Sequence, residues 1–495
     1  MYSFSLNQKL LMCVISGFFS GLSHHPLSLG FLAWFSLVPF LYSLYSFTKK
    51  YRVILAGFLF GFTYSITQIF WLAFNIGTSP LIAKITAISA TLYLSIFYII
   101  FSLLIYRVKK RSPWIGVWSM PIIWVAIEYL KSLGLLGFPW VSIGNSQADY
   151  LLPIQIAEYT AVYGVSFWIV LLNAGLIYWF QYNYKSTIIV LLSIFMFPFL
   201  LGEILIRNIP ENKSNINVTI IQPNIHLSDK HGRSPIQSLK KIINITNKYI
   251  SDSTNLVIWP ETAVNTFISE GSKTEKIIKE FLQDKSFQLL TGFPELEKTE
   301  RGNLYFNSIG HFGKSGLINS YQKIQPVPLA EHIPFSSIFP SLKKINIGQA
   351  NWEIGKNHTI FNQNQIKFSG VICYESTYPS LVRKFVNRGA GFISVLVNDG
   401  WYESAPEPQQ HANQSIFRAI ENRKTIVRSA NTGISMVIKP SGEIIQKSSL
   451  NEKTGISEKI GIQKKITFYS KYGDVFSWIM IIMTIGLIKI DFNRR

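Results

Sequence analysis

Residues 369–377 read SGVICYEST, a short β-prone apolar run that stops at Cys373 and is followed at once by Tyr374 and Glu375. A thiol at the end of a strand projects into whatever cleft lies beyond the sheet edge, which is where α/β folds present their chemistry. The chain's only other cysteine, Cys13, lies far away in an apolar stretch near the N-terminus, so no disulfide is expected and Cys373 reads as a free thiol.

Outward from this stretch the same pattern recurs. VTIIQPNI (218–225), NLVIWPET (255–262), FQLLTGFPE (287–295), YFNSIGHF (305–312), GFISVLVND (391–399), TIVRSANTG (425–433) and SMVIKPSGE (435–443) are strand candidates, several ending in Pro, Asn or Gly turns. Between them, 235–250, 273–283, 378–388 and 409–423 space their apolar residues as helices do. The alternation predicts one α/β domain. Two further strand ends carry reactive groups: Glu261 follows LVIWP, and Lys323 lies in SYQKIQPVPLAEHIPF, eight residues before Glu331. A carboxylate, an ammonium and a thiol brought together form a self-consistent nucleophilic site. The ammonium favours thiolate, the carboxylate takes and returns a proton, and the sulfur attacks a carbonyl carbon.

Composition places this domain in a membrane setting. Of 495 residues, 48% are hydrophobic and only 15% charged, with a formal net charge of +20. Such a basic balance flanked by apolar spans points to anionic lipid surfaces, and no nucleic-acid-binding signature accompanies it. Apolar stretches at 10–19, 29–47, 53–76, 81–106, 114–130, 156–182 and 188–206 precede the domain, and 475–490 follows it. Several reach the roughly 20 residues needed to cross about 30 Å of hydrocarbon. The reading is about eight spans, with 1–206 and 473–495 transmembrane and 207–472 a soluble-facing catalytic domain. Lys49, Lys50, Arg52, Arg107, Lys109, Lys110, Arg111, Lys185 and the final Arg494 and Arg495 fall on one side if every stretch crosses. Residues 23–28, 74–80 and 132–157 on the other side contain no Lys or Arg. The positive-inside rule then puts both termini in the cytoplasm and the catalytic domain in the periplasm, at the cell inner membrane.

Within the spans, Glu128 and Lys131 stand three residues apart, as a functional pair or a helix-holding salt bridge. Residues 137–164, rich in Pro, Gly, Asn and Gln, line a head-group pocket or form a surface loop; Trp140 there and Trp401 in NDGWY (398–402) are candidate substrate contacts. Residues 335–355, with Ile338, Phe339, Ile345 and Trp352 among polar neighbours, read as a lid. His311, His332, His358 and His411 show no metal-ligand spacing and read as structural, and Arg418, Glu421 and Arg428 as fold-bracing charges; no metal and no cofactor are expected.

Glu261 in WPE, Lys323 in YQK, Glu331 in AE and Cys373 in CYE resemble, in order, the Glu-Lys-Cys site of the carbon-nitrogen hydrolase (nitrilase) superfamily, and the framing spans resemble its membrane-bound N-acyltransferase branch. The resemblance implies an αββα sandwich with Glu261 as general base, Lys323 as oxyanion-stabilising lysine, Cys373 as nucleophile, Glu331 as supporting glutamate, and Tyr374 and Glu375 beside the nucleophile. It implies that an acyl chain passes from a phospholipid, typically the sn-1 position of phosphatidylethanolamine, to a Cys373 thioester, and then to the α-amine of a diacylglyceryl-modified cysteine at the start of an apolipoprotein. Two other classes stand beside this reading: a membrane-anchored amidase acting on a small amide, and a transporter whose outer domain only binds. The spans lack the paired broken helices a transporter would show.

Overall fold

The computed structural model describes residues 4–210, 214–226, 234–300, 302–334, 338–339, 341, 351–402 and 406–489. The chain forms two compact units: Met1–Asn75, Ser79–Asn208 and Tyr472–Arg495 in one, Ile76–Thr78 and Ile209–Lys471 in the other.

The first unit is helical. Lys50–Phe74, Pro80–Arg111, Val162–Tyr182 and Lys185–Arg207 are long and apolar enough to cross a membrane, and Leu6–Leu22, Gly30–Ser46 and Val475–Lys489 are shorter apolar helices. On Pro80–Arg111, Leu81, Ile85, Ile88, Leu92, Ile96 and Ile100 recur every three or four residues and are exposed, while Thr91 and Ser95 point inward. Apolar residues outside and small polar ones inside is the pattern of a helix solvated by lipid. The chain is a membrane protein. Two stretches that read as continuous spans are interrupted. Residues 114–130 break at Ser119 between helices Pro113–Trp118 and Met120–Lys131, the second opening with Pro121. Residues 156–182 break at Ala161, whose φ of 54° and ψ of −164° no helix accommodates.

Glu128 and Lys131 resolve the irregular segment that follows them. Glu128 Oε1 accepts from the Ile143 N–H at 2.8 Å and the Trp124 indole at 2.9 Å, and Lys131 Nζ donates to the Val141 carbonyl. Backbone without helical partners is sustained at this depth only if other groups satisfy it. Both charges are therefore spent on the main chain of 141–143. Trp140, just before it, is buried against Trp71, ring centroids 5.1 Å apart.

The second unit is a two-sheet α/β sandwich. One sheet has the order β12-β1-β2-β3-β4-β5, built from β1 (Ser214–Gln222), β2 (Leu256–Ile258), β3 (Gln288–Thr299), β4 (Gly302–Gly313), β5 (Gly316–Gln322) and β12 (Thr454–Ile462). The other has the order β11-β10-β9-β8-β7-β6, from β6 (Phe361–Gln363), β7 (Ile366–Ile372), β8 (Phe392–Val397), β9 (Thr425–Ala430), β10 (Met436–Ile438) and β11 (Ile444–Lys447). β1, β2 and β3 run parallel, as do β7, β8 and β9, so each sheet has a parallel heart. Ser429 Oγ on β9 reaches the Ile221 and Ile258 carbonyls of the facing sheet, both at 3.2 Å. Helices Pro235–Thr246 and Lys273–Leu282 cover the first sheet, with Leu239, Ile242, Ile278 and Leu282 packed on Val257, Trp259, Leu289 and Phe312. Helices Pro379–Asn387 and Glu407–Asn422 follow β7 and β8 in the second half.

Four strands, three of them parallel, lead into the candidate site residues. β2 runs into Glu261, β5 into Lys323, β7 into Cys373 and β8 into Asn398 and Asp399. One close approach fixes the first of these: a Cβ on Gly292 of β3 would lie 2.6 Å from Thr262 N and 2.7 Å from Glu261 Cα, both backbone atoms that cannot give way. Gly292→Ala is therefore expected to push Glu261 out of register and to cost about 1–3 kcal/mol, the usual penalty of overpacking. A detergent-solubilised variant with unchanged thermal unfolding and unchanged activity would show that the strand has room.

Candidate active site

Cys373 stands at the end of β7 with φ of 50°, the left-handed region that non-glycine residues rarely adopt, and opens a tight 3₁₀ turn, Cys373–Thr377. Strain of this kind persists only where the surroundings over-determine it. Here Glu375 supplies much of that constraint. Its Oε2 accepts from the Ile372 N–H at 2.7 Å, and its Oε1 accepts from the Tyr321 hydroxyl and the Ile324 N–H, both at 2.7 Å, and from the Gln325 N–H at 3.1 Å. One carboxylate thus ties the Cys373 turn to the end of β5 and the residues beside Lys323. Burial pushes the Glu375 carboxyl above its ordinary range, opposed by Lys323 and by its own hydrogen bonds. Four donors and no acceptor facing it mark it as the ionised form.

Lys323 is buried, 1% exposed. Its Nζ lies 2.8 Å from Glu331 Oε2 and 3.7 Å from Glu261 Oε1. Burial opposes the ammonium, but Glu331 and then Glu261 more than restore it, holding Lys323 above the ordinary lysine range. Glu331 also accepts from the Val327 N–H at 2.8 Å, so it folds the 323–331 loop back upon the lysine. That loop is stitched in turn by Trp352 N–H to the Glu331 carbonyl at 2.7 Å and Gly355 N–H to the Lys323 carbonyl at 2.8 Å. The lid expected over 335–355 lies largely outside the described residues; of those described, Ile338 and Phe339 are exposed.

Glu261 is held by two groups that the sequence did not single out. Asn307 Nδ2 of β4 donates to its Oε1 at 2.8 Å, and the Asn398 N–H to its Oε2 at 3.0 Å. The carboxylate, the ammonium and the thiol act strongly on one another. Burial and then Glu261 push the Cys373 thiol well above its usual range, and Lys323 offsets only part of this. The ammonium does favour thiolate, as expected, but burial and then Glu261 outweigh it and leave the thiol raised. A thiol beside a carboxylate base, with a fixed cation where an oxyanion would form, suits attack on an acyl carbon.

Tyr374 is buried with its ring edge-on to Tyr378, centroids 5.3 Å apart. Trp401 is half-buried in the short turn Asp399–Trp401, and its carbonyl accepts from the Ile76 N–H at 3.1 Å. Arg418 and Glu421 form a buried ion pair at 2.7 Å. His411, read from sequence as structural, lies next to Cys373: Cys373 Sγ, an Asp399 oxygen and a His411 nitrogen are within 4.8 Å of one another. Asp399 is already committed to His411 at 2.9 Å and to Arg428 at 2.8 Å, which is a poor arrangement for a cation.

The model of the Carbon-nitrogen hydrolase family matches residues 217–463, the stretch that holds both sheets' central strands and Glu261, Lys323 and Cys373. Residues 16–175 match the Apolipoprotein N-acyltransferase N-terminal domain. The chain belongs to the apolipoprotein N-acyltransferase family, the membrane-bound branch of that superfamily. It is 27% identical to an apolipoprotein N-acyltransferase of Geobacter metallireducens, covering 98% of this chain and 95% of the relative. It is 28% identical to that of Rickettsia prowazekii, covering 98% and 99%. Among solved structures, Saccharomyces cerevisiae Nit3, of the nitrilase superfamily, aligns over 50% of this chain and 91% of its own at 16% identity, with a TM-score of 0.41.

The charges around the thiol give a signed expectation. Since Glu261 raises the Cys373 pKa and Lys323 lowers it, the midpoint of the pH-dependent alkylation of Cys373 by iodoacetamide should lie above the ordinary thiol range in the wild type. It should fall in Glu261→Gln and rise further in Lys323→Met. Shifts of the opposite sign in either variant would contradict the assigned electrostatics.

Proposed function

We propose that the chain transfers an acyl chain from a phospholipid to the α-amine of the diacylglyceryl-cysteine at the start of an apolipoprotein, through a thioester on Cys373. The observation that carries this reading is the meeting of Cys373, Lys323 and Glu261 in a domain whose chain continues at both ends into apolar helices. An enzyme for a small soluble amide has no need of that bracket; a lipid donor does.

The steps follow from the charges. Glu261 takes the Cys373 proton as sulfur attacks the ester carbonyl. The oxyanion forms against the Lys323 ammonium, helped by the Tyr374 N–H. Collapse expels the lysophospholipid alkoxide, which takes the proton back from Glu261 and leaves the thioester. The incoming amine then attacks, Glu261 accepts its proton, and the Cys373 thiolate leaves and is reprotonated. Glu331 keeps Lys323 charged and aimed, and Glu375 keeps its loop against the nucleophile's turn. Phosphatidylethanolamine is the donor in this reading, and Trp140 and Trp401 are substrate contacts. The eight apolar stretches all cross, the basic loops face the cytoplasm, and residues 207–472 face the periplasm of the inner membrane.

Incubation with phospholipid alone should add one acyl chain at Cys373, detected by intact mass and removed by neutral hydroxylamine, and Cys373→Ala should gain none. Lys323→Met should form the adduct about 10²–10³ times more slowly, the usual cost of losing an oxyanion donor. Release of ammonia from a small amide without acyl transfer would favour the amidase reading instead. A Lys323→Met enzyme acylating at the wild-type rate would remove the lysine from the mechanism.

A further inference from the structure

Beneath the nucleophile lies a chain of buried ionisable groups that the acyl-transfer steps above do not use. Helix Glu407–Asn422 carries Glu407 and His411, the end of β8 carries Asp399, and β9 carries Arg428; all four are buried. Arg428 Nη2 donates to Asp399 Oδ2 at 2.8 Å, the other Asp399 oxygen faces His411 Nδ1 at 2.9 Å, and Glu407 Oε1 lies 3.6 Å from the same nitrogen. Taking such charges out of water costs several kcal/mol per ion unless geometry and hydrogen bonds repay it. The inner end of the chain touches the reacting residue. His411 Nε2 is 3.1 Å from the Cys373 carbonyl oxygen and 3.0 Å from Ser376 Oγ, and Ser376 Oγ is 2.8 Å from the same carbonyl.

The roles of these atoms follow from where protons can sit. The ionised Asp399 takes the Nδ1 proton. Burial and Arg428 hold His411 below its usual range, against Asp399 and the Cys373 carbonyl, which raise it. The Ser376 hydroxyl donates to the Cys373 carbonyl, and His411 Nε2 stands within hydrogen-bonding distance of both. Two side chains therefore bear on one carbonyl oxygen and restrict its orientation. A peptide unit is planar and trans, so its C=O and N–H point in opposite directions. Fixing the Cys373 carbonyl on one side therefore fixes the Tyr374 N–H on the other.

We propose that His411 is a positioning residue for the acyl-transfer step: held by Asp399 and acting through Ser376, it locks the Cys373–Tyr374 peptide so that the Tyr374 N–H points at the developing oxyanion. This rests on the acyl-transfer reading above. A group aimed only at the oxyanion contributes in the transition state and leaves ground-state binding alone, so its loss lowers kcat and spares KM.

The test compares two reactions of the same sulfur. Acylation by phospholipid passes through an oxyanion, whereas alkylation by iodoacetamide at saturating pH does not. His411→Leu keeps the volume and removes the polar contacts. It should slow single-turnover acylation about 10- to 100-fold, somewhat less than the loss of a direct oxyanion donor, with phospholipid KM within about twofold and alkylation within about threefold of wild type. His411→Gln, whose amide reaches Ser376 and the carbonyl, should recover most of the acylation rate, and Ser376→Ala should lose part of it with alkylation unchanged. The proposal is overturned if His411→Leu or Ser376→Ala acylates at the wild-type rate, or if acylation and alkylation fall together, the mark of a displaced thiol. Wild-type enzyme that alkylates at Cys373 but never acquires an acyl chain would instead refute the acyl-transfer reading.

Discussion

The active centre depends on one buried ammonium. Lys323 sits between Glu331 at 2.8 Å and Glu261 at 3.7 Å, almost without water. Removing a partner from a buried pair leaves an uncompensated charge and costs about 3–5 kcal/mol, so the three side chains constrain one another strongly. The loop carrying Lys323 is shaped accordingly. Glu331 returns to the lysine it follows by eight residues, Glu375 clasps the Ile324 and Gln325 amides, and Asn307 and the Asn398 N–H hold Glu261 from two further strands. The same constraint sets the chemistry. Burial and the carboxylates raise the Cys373 thiol while the one cation lowers it, and in the proposed cycle Glu261 takes its proton.

Much of this was legible in the chain because the reactive groups stand at strand ends inside short motifs. WPE, YQK and CYE each combine a β-prone run with an abrupt polar stop, and the structure ends β2, β5 and β7 there. The helpers were less legible for a physical reason. Asn307 lies mid-strand in β4, and nothing local distinguishes it from other polar strand residues; only pairing of β4 with β3 brings it to Glu261. His411 is one polar residue in an amphipathic helix, and its meaning depends on Asp399, twelve positions earlier, and on Arg428 in the next strand. Spacing rules for metals passed over it because its partners are hydrogen-bonding groups.

In the helical unit, composition located the apolar stretches but not their breaks. Ser119 and Ala161 interrupt runs that hydropathy reads as continuous, since hydropathy averages over the local φ and ψ that end a helix. Glu128 and Lys131 looked like a pair because they are three apart on a helix. Instead each hydrogen-bonds to backbone of the segment that follows, satisfying a carbonyl and an N–H that lipid could not.

In the proposed cycle the acyl chain rests on Cys373 between two separate reactions. The most direct measurement is a chase: enzyme acylated by phospholipid, freed of donor, and mixed with a synthetic diacylglyceryl-cysteinyl peptide while intact mass and peptide mass are followed together. The acyl-enzyme should disappear and the N-acyl peptide appear with one shared rate constant, at least as fast as steady-state turnover. An acyl-enzyme that persists through the chase, while turnover proceeds whenever both substrates are present, would contradict that cycle.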